Sequence, residues 1–168
     1  MYFLATQRLK FRHWTADDLP LALQLWGDSR VTEHLGGDFT PAGTAARLNS
    51  EIAQQQAHAV QYWPIFTLDD SQFIGVCGLR PYRDILELGY HLRPDFWGKG
   101  IASEAARAAI KYGFYALEVP ALFAGHYPEN LVSKHVLEKL GFRYTHDEFY
   151  PPAGRINPSY LLRKPVRA

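Results

Sequence analysis

The spacing of apolar side chains changes several times along the chain, and each change predicts an element. Leu9 and Phe11 alternate with Arg8, Lys10 and Arg12, the period of two expected of a half-buried strand across 6–14. Thr15 stands as an N-cap with Asp18 in the capping-box region, so Leu19, Leu21, Leu23, Leu25 and Trp26 belong to a helix that Gly27 and Asp28 stop. A turn at Gly36-Gly37-Asp38 precedes Thr40-Pro41, an N-cap with a first-turn proline, which predicts a second helix to roughly residue 57. Its many Gln and Ala residues leave a thin apolar stripe.

Strand character returns at 62–68, 73–79 and 85–92, interrupted by Asp69-Asp70-Ser71 and by Pro81-Tyr82-Arg83-Asp84, and the first two runs form an antiparallel hairpin. Across 99–117 the period lengthens to that of a helix, with Ile101, Ala105, Ala108, Ala109, Tyr112 and Ala116 on one side. A short strand at 121–125, a helix at 129–140 closed by Gly141, a strand at 142–150 and a last one at 160–162 complete the pattern. Elements in this order make an α/β fold, a mixed sheet with helices on its faces.

At 168 residues, 47% apolar and 21% charged, the chain carries enough apolar material for one core and reads as a single domain over 1–168, without repeat or linker. A net charge of +1 gives no strong field for phosphate backbones or anionic lipid, which sets aside nucleic acid and membrane as partners. Cys77 is alone and makes no internal disulfide, the first residues lack the basic and apolar regions of a signal peptide, and no apolar run approaches membrane-spanning length; the expected location is cytoplasmic. Within the apolar run 73–78, Cys77 reads as a small buried hydrophobe, not a nucleophile.

The most informative segment is 87–105, a strand that feeds a glycine-bearing turn into a helix. The first turn of a helix offers unpaired N–H donors and the positive end of the dipole, and Gly98 and Gly100 let an anion such as a diphosphate approach the backbone, with Lys99 adding a mobile charge. A P-loop needs Ser or Thr straight after Gly-Lys, and Gly100 stands there instead. A dinucleotide fingerprint tolerates Ser103 as its third small residue but opens the first strand-helix unit of a chain, whereas several strands precede this one; ATP or NAD therefore ranks last.

With its neighbours the segment resembles a known family. Glu87-Leu88-Gly89-Tyr90-His91-Leu92-Arg93-Pro94 followed by Trp97-Gly98-Lys99-Gly100-Ile101-Ala102-Ser103-Glu104-Ala105 looks like the coenzyme A-binding motif of the GNAT acetyltransferases. Pro128-Glu129-Asn130-Leu131-Val132-Ser133 through Gly141-Phe142 resembles the fourth-helix signature of the same superfamily, and Arg8 to Arg12 resembles its opening strand, so the likeness spans 6–163. It is nearest to the branch of ribosomal-protein N-terminal acetyltransferases.

That resemblance implies the GNAT acyl-CoA N-acyltransferase fold: a mostly antiparallel seven-stranded sheet with splayed central strands and about four helices. It implies acetyl-CoA as cosubstrate, no metal, and direct transfer of acetyl to an amine, which is a protein N-terminus or a small molecule such as an aminoglycoside, polyamine or amino acid, by a monomer or homodimer. The implied cofactor-binding residues are His91, Leu92, Trp97, Gly98, Lys99, Gly100, Ile101, Ala102, Ser103 and Asn130. His91 and Leu92 would act through their backbones at a bulge, one donating to the thioester oxygen. The catalytic residues are Glu87 as general base, beside the reading of a cross-strand ion pair, and Ser133 as proton donor to the leaving thiolate, beside a helix hydroxyl bonded locally. Asp95 stands where the family often has Gln or Arg, which shifts diphosphate binding onto the backbone and Lys99, and Leu137 stands where many members have the acid Tyr. A non-catalytic acyl-CoA binding or sensor domain is the alternative. His126 could titrate near neutrality at the open end of the sheet and stands as an outside candidate beside the reading of a solvated loop histidine; Trp26, Trp63, Trp97, Tyr82 and Tyr150 are read as core aromatics, none assigned to an acceptor cleft.

Overall fold

The computed structural model describes residues 1–166. Eight strands form one sheet: β1 (Tyr2–Ala5), β2 (Leu9–Arg12), β3 (Tyr62–Thr67), β4 (Phe73–Tyr82), β5 (Ile85–Leu92), β6 (Ala121–Gly125), β7 (Arg143–Tyr150) and β8 (Arg155–Arg163), in the order β1-β2-β3-β4-β5-β6-β8-β7. All neighbours are antiparallel except β5 and β6, where a crossover helix intervenes. The helices are α1 (Leu19–Trp26), α2 (Ser29–Thr32), α3 (Pro41–His58), α4 (Ile101–Lys111) and α5 (Leu131–Lys139), and among the described residues none is long and apolar enough to cross a membrane.

Each face of the sheet has its own core. On one, Ile101, Ala105, Ala109 and Phe114 from α4 and its wound C-terminal turn, with Leu137 from α5, pack on Trp63, Ile65, Leu79, Leu88 and Leu122. On the other, Ala22, Leu25 and Trp26 of α1 and Leu48 of α3 cover Tyr62, Phe66, Phe73 and Val76. The period of two in β5 therefore sends Leu86, Leu88, Tyr90 and Leu92 to the α4 face and Glu87, Gly89 and His91 to the α1 face, as the sequence predicts. Cys77 is buried in the first core, which pushes its thiol up and keeps it protonated.

The sheet has eight strands where seven are expected. The extra one, β1, is too short for its period to be read, and Phe3 anchors it edge-on to Trp63 and Tyr112. The last strand starts at Arg155, not 160, although Pro158 interrupts it: Pro158 lies just past the final β6 pair, Gly125 with Ser159, so only β7 remains alongside. Helix α2, a single turn capped by Asp28, is likewise absent from the apolar pattern.

Candidate active site

β5 and β6 pair only at Leu86–Leu122 and Glu87–Phe123; beyond that point the strands part. β5 nevertheless continues in unbroken register with β4 to Leu92 opposite Gly75, so the bulge expected at His91 and Leu92 is not there, and the opening comes from the departure of β6 instead. Because the Arg93 N–H donates to Ile74 on β4 at 2.8 Å, alternation turns the Tyr90 and Leu92 amides the other way, into the gap. The Leu92 carbonyl, on the same edge, accepts from the Trp97 indole at 2.8 Å.

A groove of about 490 Å³ lies along this gap, walled by Tyr90, Leu92 and Trp97 on one side and Asn130, Ser133 and Val136 on the other. Its floor is Gly98, Gly100 and the first turn of α4, Ile101 to Ser103. Gly98 and Gly100 hold φ of +72° and +73°, the left-handed region, and no heavy atom of the protein lies within 3.5 Å of where their Cβ atoms would be. Glycine there serves backbone geometry and an open approach to the helix N-terminus, not packing. The loop is clamped from outside by Arg8, whose Nη1 donates to the Lys99 carbonyl at 3.0 Å and whose Nε meets Glu104 at 2.6 Å. Hydrogen bonds from Thr6 and Arg8 hold the Glu104 carboxyl below its usual range against the opposing effect of burial.

Adjoining the groove lies a smaller, half-open inner cavity of about 170 Å³, lined on the α1 face by Arg47, Tyr62, Arg80, Gly89, His91, Tyr150 and Asn157. His34, Tyr90, Asn130 and Ser133 belong to the walls of both spaces. The Tyr62 ring covers Gly89 so closely that a Cβ there would sit 2.3 Å from its hydroxyl, so glycine at this position makes room for the aromatic wall. Glu87 is buried one layer back. Its Oε2 pairs with Arg80 Nε at 3.1 Å, its Oε1 accepts from the Tyr150 hydroxyl at 2.5 Å, and Arg80 also donates to that hydroxyl. Burial alone would lower the Arg80 guanidinium, but Tyr62, Glu87 and Tyr150 outweigh it and keep it charged, while burial pushes the Tyr150 phenol up.

The predicted residues divide between these two spaces. Trp97, Gly98, Gly100, Ile101, Ala102, Ser103, Leu92, Asn130 and Ser133 all line the groove. Asn130 caps α5, its Oδ1 accepting from Ser133 N–H at 3.1 Å, so the local helix-start role is filled while the side chain still borders the groove. Ser133 Oγ lies 3.0 Å from the Tyr90 hydroxyl, whose pKa burial pushes up to about 12. Lys99 and Asp95 are outside the groove, on a separate surface hollow, with Lys99 over the Phe96 ring. His91 is turned away too: its backbone faces β4, and its ring accepts from Trp26 Nε1 at 3.2 Å in the inner cavity. Burial, with Arg47 and Arg80 nearby, holds it neutral, well below 6.5.

Glu87 is in a cross-strand ion pair, as one of its two readings requires, and is linked to the inner cavity through two wall residues, Arg80 and Tyr150. His126 is not solvated; it is buried between the Tyr127 carbonyl and the Tyr160 hydroxyl, and burial lowers its pKa. Tyr90, Arg80, Arg47 and Asn157 are wall residues with no sequence assignment, and Tyr150 is wall rather than core. The i,i+4 pair Arg47–Glu51 has the spacing of a solvated surface pair, and only its position under Tyr62 makes it a buried one.

Residues 8–143 match a family model described as an acetyltransferase (GNAT) domain. The chain is 32% identical over 151 residues to an uncharacterized N-acetyltransferase, p20, of Bacillus licheniformis, covering 85% of this chain and 83% of that one. It is 30% identical over 106 residues to the ribosomal protein uS5-alanine N-acetyltransferase of Escherichia coli, 61% of this chain and 55% of the relative. Among solved structures, a GNAT-family acetyltransferase from Bacillus anthracis superposes with a TM-score of 0.82 at 25% identity, covering 97% and 98% of the two chains.

Proposed function

The chain belongs to the GNAT acetyltransferase family, in the neighbourhood of the ribosomal-protein acetyltransferases, and on that premise we propose that it moves acetyl from acetyl-CoA to a primary amine by direct attack in a ternary complex. The observation that carries this reading is the meeting of groove and inner cavity where the β5–β6 pairing ends: a thioester in the groove and an amine in the cavity would face each other between Tyr90, Asn130 and Ser133.

The residues present suit coenzyme A. The amides of Ile101, Ala102 and Ser103, opened by two left-handed glycines, form an anion site at a helix N-terminus that fits its diphosphate. The Leu92 amide is the donor for charge developing on the thioester oxygen, and one such donor contributes roughly 3 kcal/mol. Glu87 is the base and acts through Tyr150: as the amine nitrogen bonds to the acetyl carbon, its proton passes to the Tyr150 oxygen and the phenol proton to Glu87 Oε1. The carbon–sulfur bond then breaks and sulfur leaves with the electron pair. Ser133 hydrogen-bonds that sulfur, backed by Tyr90, which steadies the thiolate as it leaves.

The acceptor is a protein N-terminus or a small-molecule amine. The E. coli relative's name points to the first; the size of the inner cavity favours the second. Thermal unfolding with acetyl-CoA, followed by amine-dependent thiol release, tests the reading: ligand at about 100 times its dissociation constant adds roughly 2.7 kcal/mol. A clear rise in Tm and amine-dependent release are expected; an unchanged Tm at saturating acetyl-CoA would overturn the proposal.

A further inference from the structure

The inner cavity has a chemical bias that the fold does not require. Among the described residues its wall holds two guanidinium groups, Arg47 and Arg80, and no Asp or Glu. The balancing carboxylates, Glu51 and Glu87, sit behind the wall with their oxygens engaged: Glu51 takes Arg47 Nε at 2.8 Å and the Tyr62 N–H at 2.7 Å, while Glu87 takes Arg80 and Tyr150.

The two arginines differ in what remains to them. Arg80 is committed through Nε to Glu87 and through Nη2 to Tyr150. Arg47 is committed only through Nε. Its guanidinium lies 4.9 Å from the Trp26 ring centre and 5.5 Å from that of Tyr62, which fixes its plane, and its Nη2 is buried without a hydrogen-bond partner. Asn157, also on the cavity wall, has its Oδ1 buried without a partner. Buried polar atoms are nearly always paired, so an orphaned donor and an orphaned acceptor on two residues of one cavity wall mark places where a ligand completes the set. A guanidinium fork held rigid by aromatic faces matches a carboxylate.

Resting on the acetyl-transfer reading above, we infer that the acceptor is a small primary amine carrying a carboxylate, of the amino-acid class, with its carboxylate on Arg47 and an N–H on Asn157. Polycationic amines are disfavoured by the same wall, since they would bring several positive charges against two guanidinium groups with no carboxylate to receive them.

The test compares each of L-alanine, L-methionine, L-phenylalanine and β-alanine with its primary amide, alongside spermidine, in thiol release and in calorimetric titration of the CoA-loaded protein. Within a pair the amine-bearing skeleton is the same and the carboxylate becomes a neutral amide; because that also lowers the amine pKa, rates are compared per unprotonated amine. At least one acid is expected to exceed its amide by about tenfold or more in kcat/KM, and Arg47→Gln is expected to remove that preference while acetyl-CoA still raises Tm. The acid-to-amide ratio of the unaltered protein needs no variant, so a folding defect in Arg47→Gln leaves the test intact. If amides or spermidine serve as well as acids, the carboxylate assignment is overturned and acetyl transfer stands. If no amine is acetylated, the transfer reading falls, and calorimetry decides the rest: acids binding over amides upholds the carboxylate site, and equal or no binding overturns it.

Discussion

Glu87 and Arg80 face each other in the register of β4 and β5, so their ion pair would form whether or not the chain had any chemistry to perform. What exceeds a structural pair is Tyr150, arriving from the end of β7 to take the second carboxylate oxygen and to stand on the cavity wall. Replacing Glu87 by Gln keeps the shape and removes the proposed base, and the expected loss is about 10²- to 10³-fold in kcat with acetyl-CoA affinity unchanged. Tyr150→Phe should act in the same direction. A purely structural pair would lower Tm in both variants and leave kcat near normal, so unfolding and steady-state kinetics measured together separate the roles.

At the scale of elements, the glycine loop depends on a strand far from it in sequence. Arg8, just before β2, joins the Lys99 carbonyl to Glu104 on α4 and so fixes the angle at which the α4 amides meet the groove. Arg8→Gln is expected to raise KM for acetyl-CoA by about three- to tenfold with kcat little changed, as loss of ground-state positioning does. Gly100→Glu should abolish acetyl-CoA binding outright, by a strained φ and a negative charge at the phosphate position, read as the disappearance of the thermal shift. The loop was legible because its geometry depends on two glycines, Gly98 and Gly100, between the end of a strand at Leu92 and the start of a helix at Ile101, and β5 was legible because one period sets both its faces. Tyr150, Arg80, Arg47 and Asn157 were not: they come from β7, β4, α3 and β8, and their meeting at one cavity depends on sheet order and helix packing, on which local pattern is silent. Short elements escaped for a simpler reason, since four residues of β1 or α2 repeat too few times to establish a period.

For the whole molecule, two separate cores on the two faces of one sheet mean that buried histidines enter its stability. His91 and His126 both have folded pKa values below 6.5 because burial penalises their charged forms. Above about pH 7.5 both are neutral folded and unfolded alike and cost nothing; as pH falls through about 6.5, the unfolded chain takes up protons that the folded chain refuses, and stability drops. The limiting slope is about 1.4 kcal/mol per pH unit for each histidine, so Tm should fall between about pH 7 and pH 5.5, and His91→Gln should flatten the fall. A Tm constant over that interval would show both rings ionising freely.

One feature of the site reaches beyond either substrate taken alone. His34, Tyr90, Asn130 and Ser133 are walls held in common by groove and inner cavity, so any adjustment of these side chains by one occupant changes the space offered to the other. Such linkage is reciprocal: whatever factor acetyl-CoA adds to the affinity for the amine, the amine adds to the affinity for acetyl-CoA. With a party wall of four residues, each substrate becomes the effector of its neighbour.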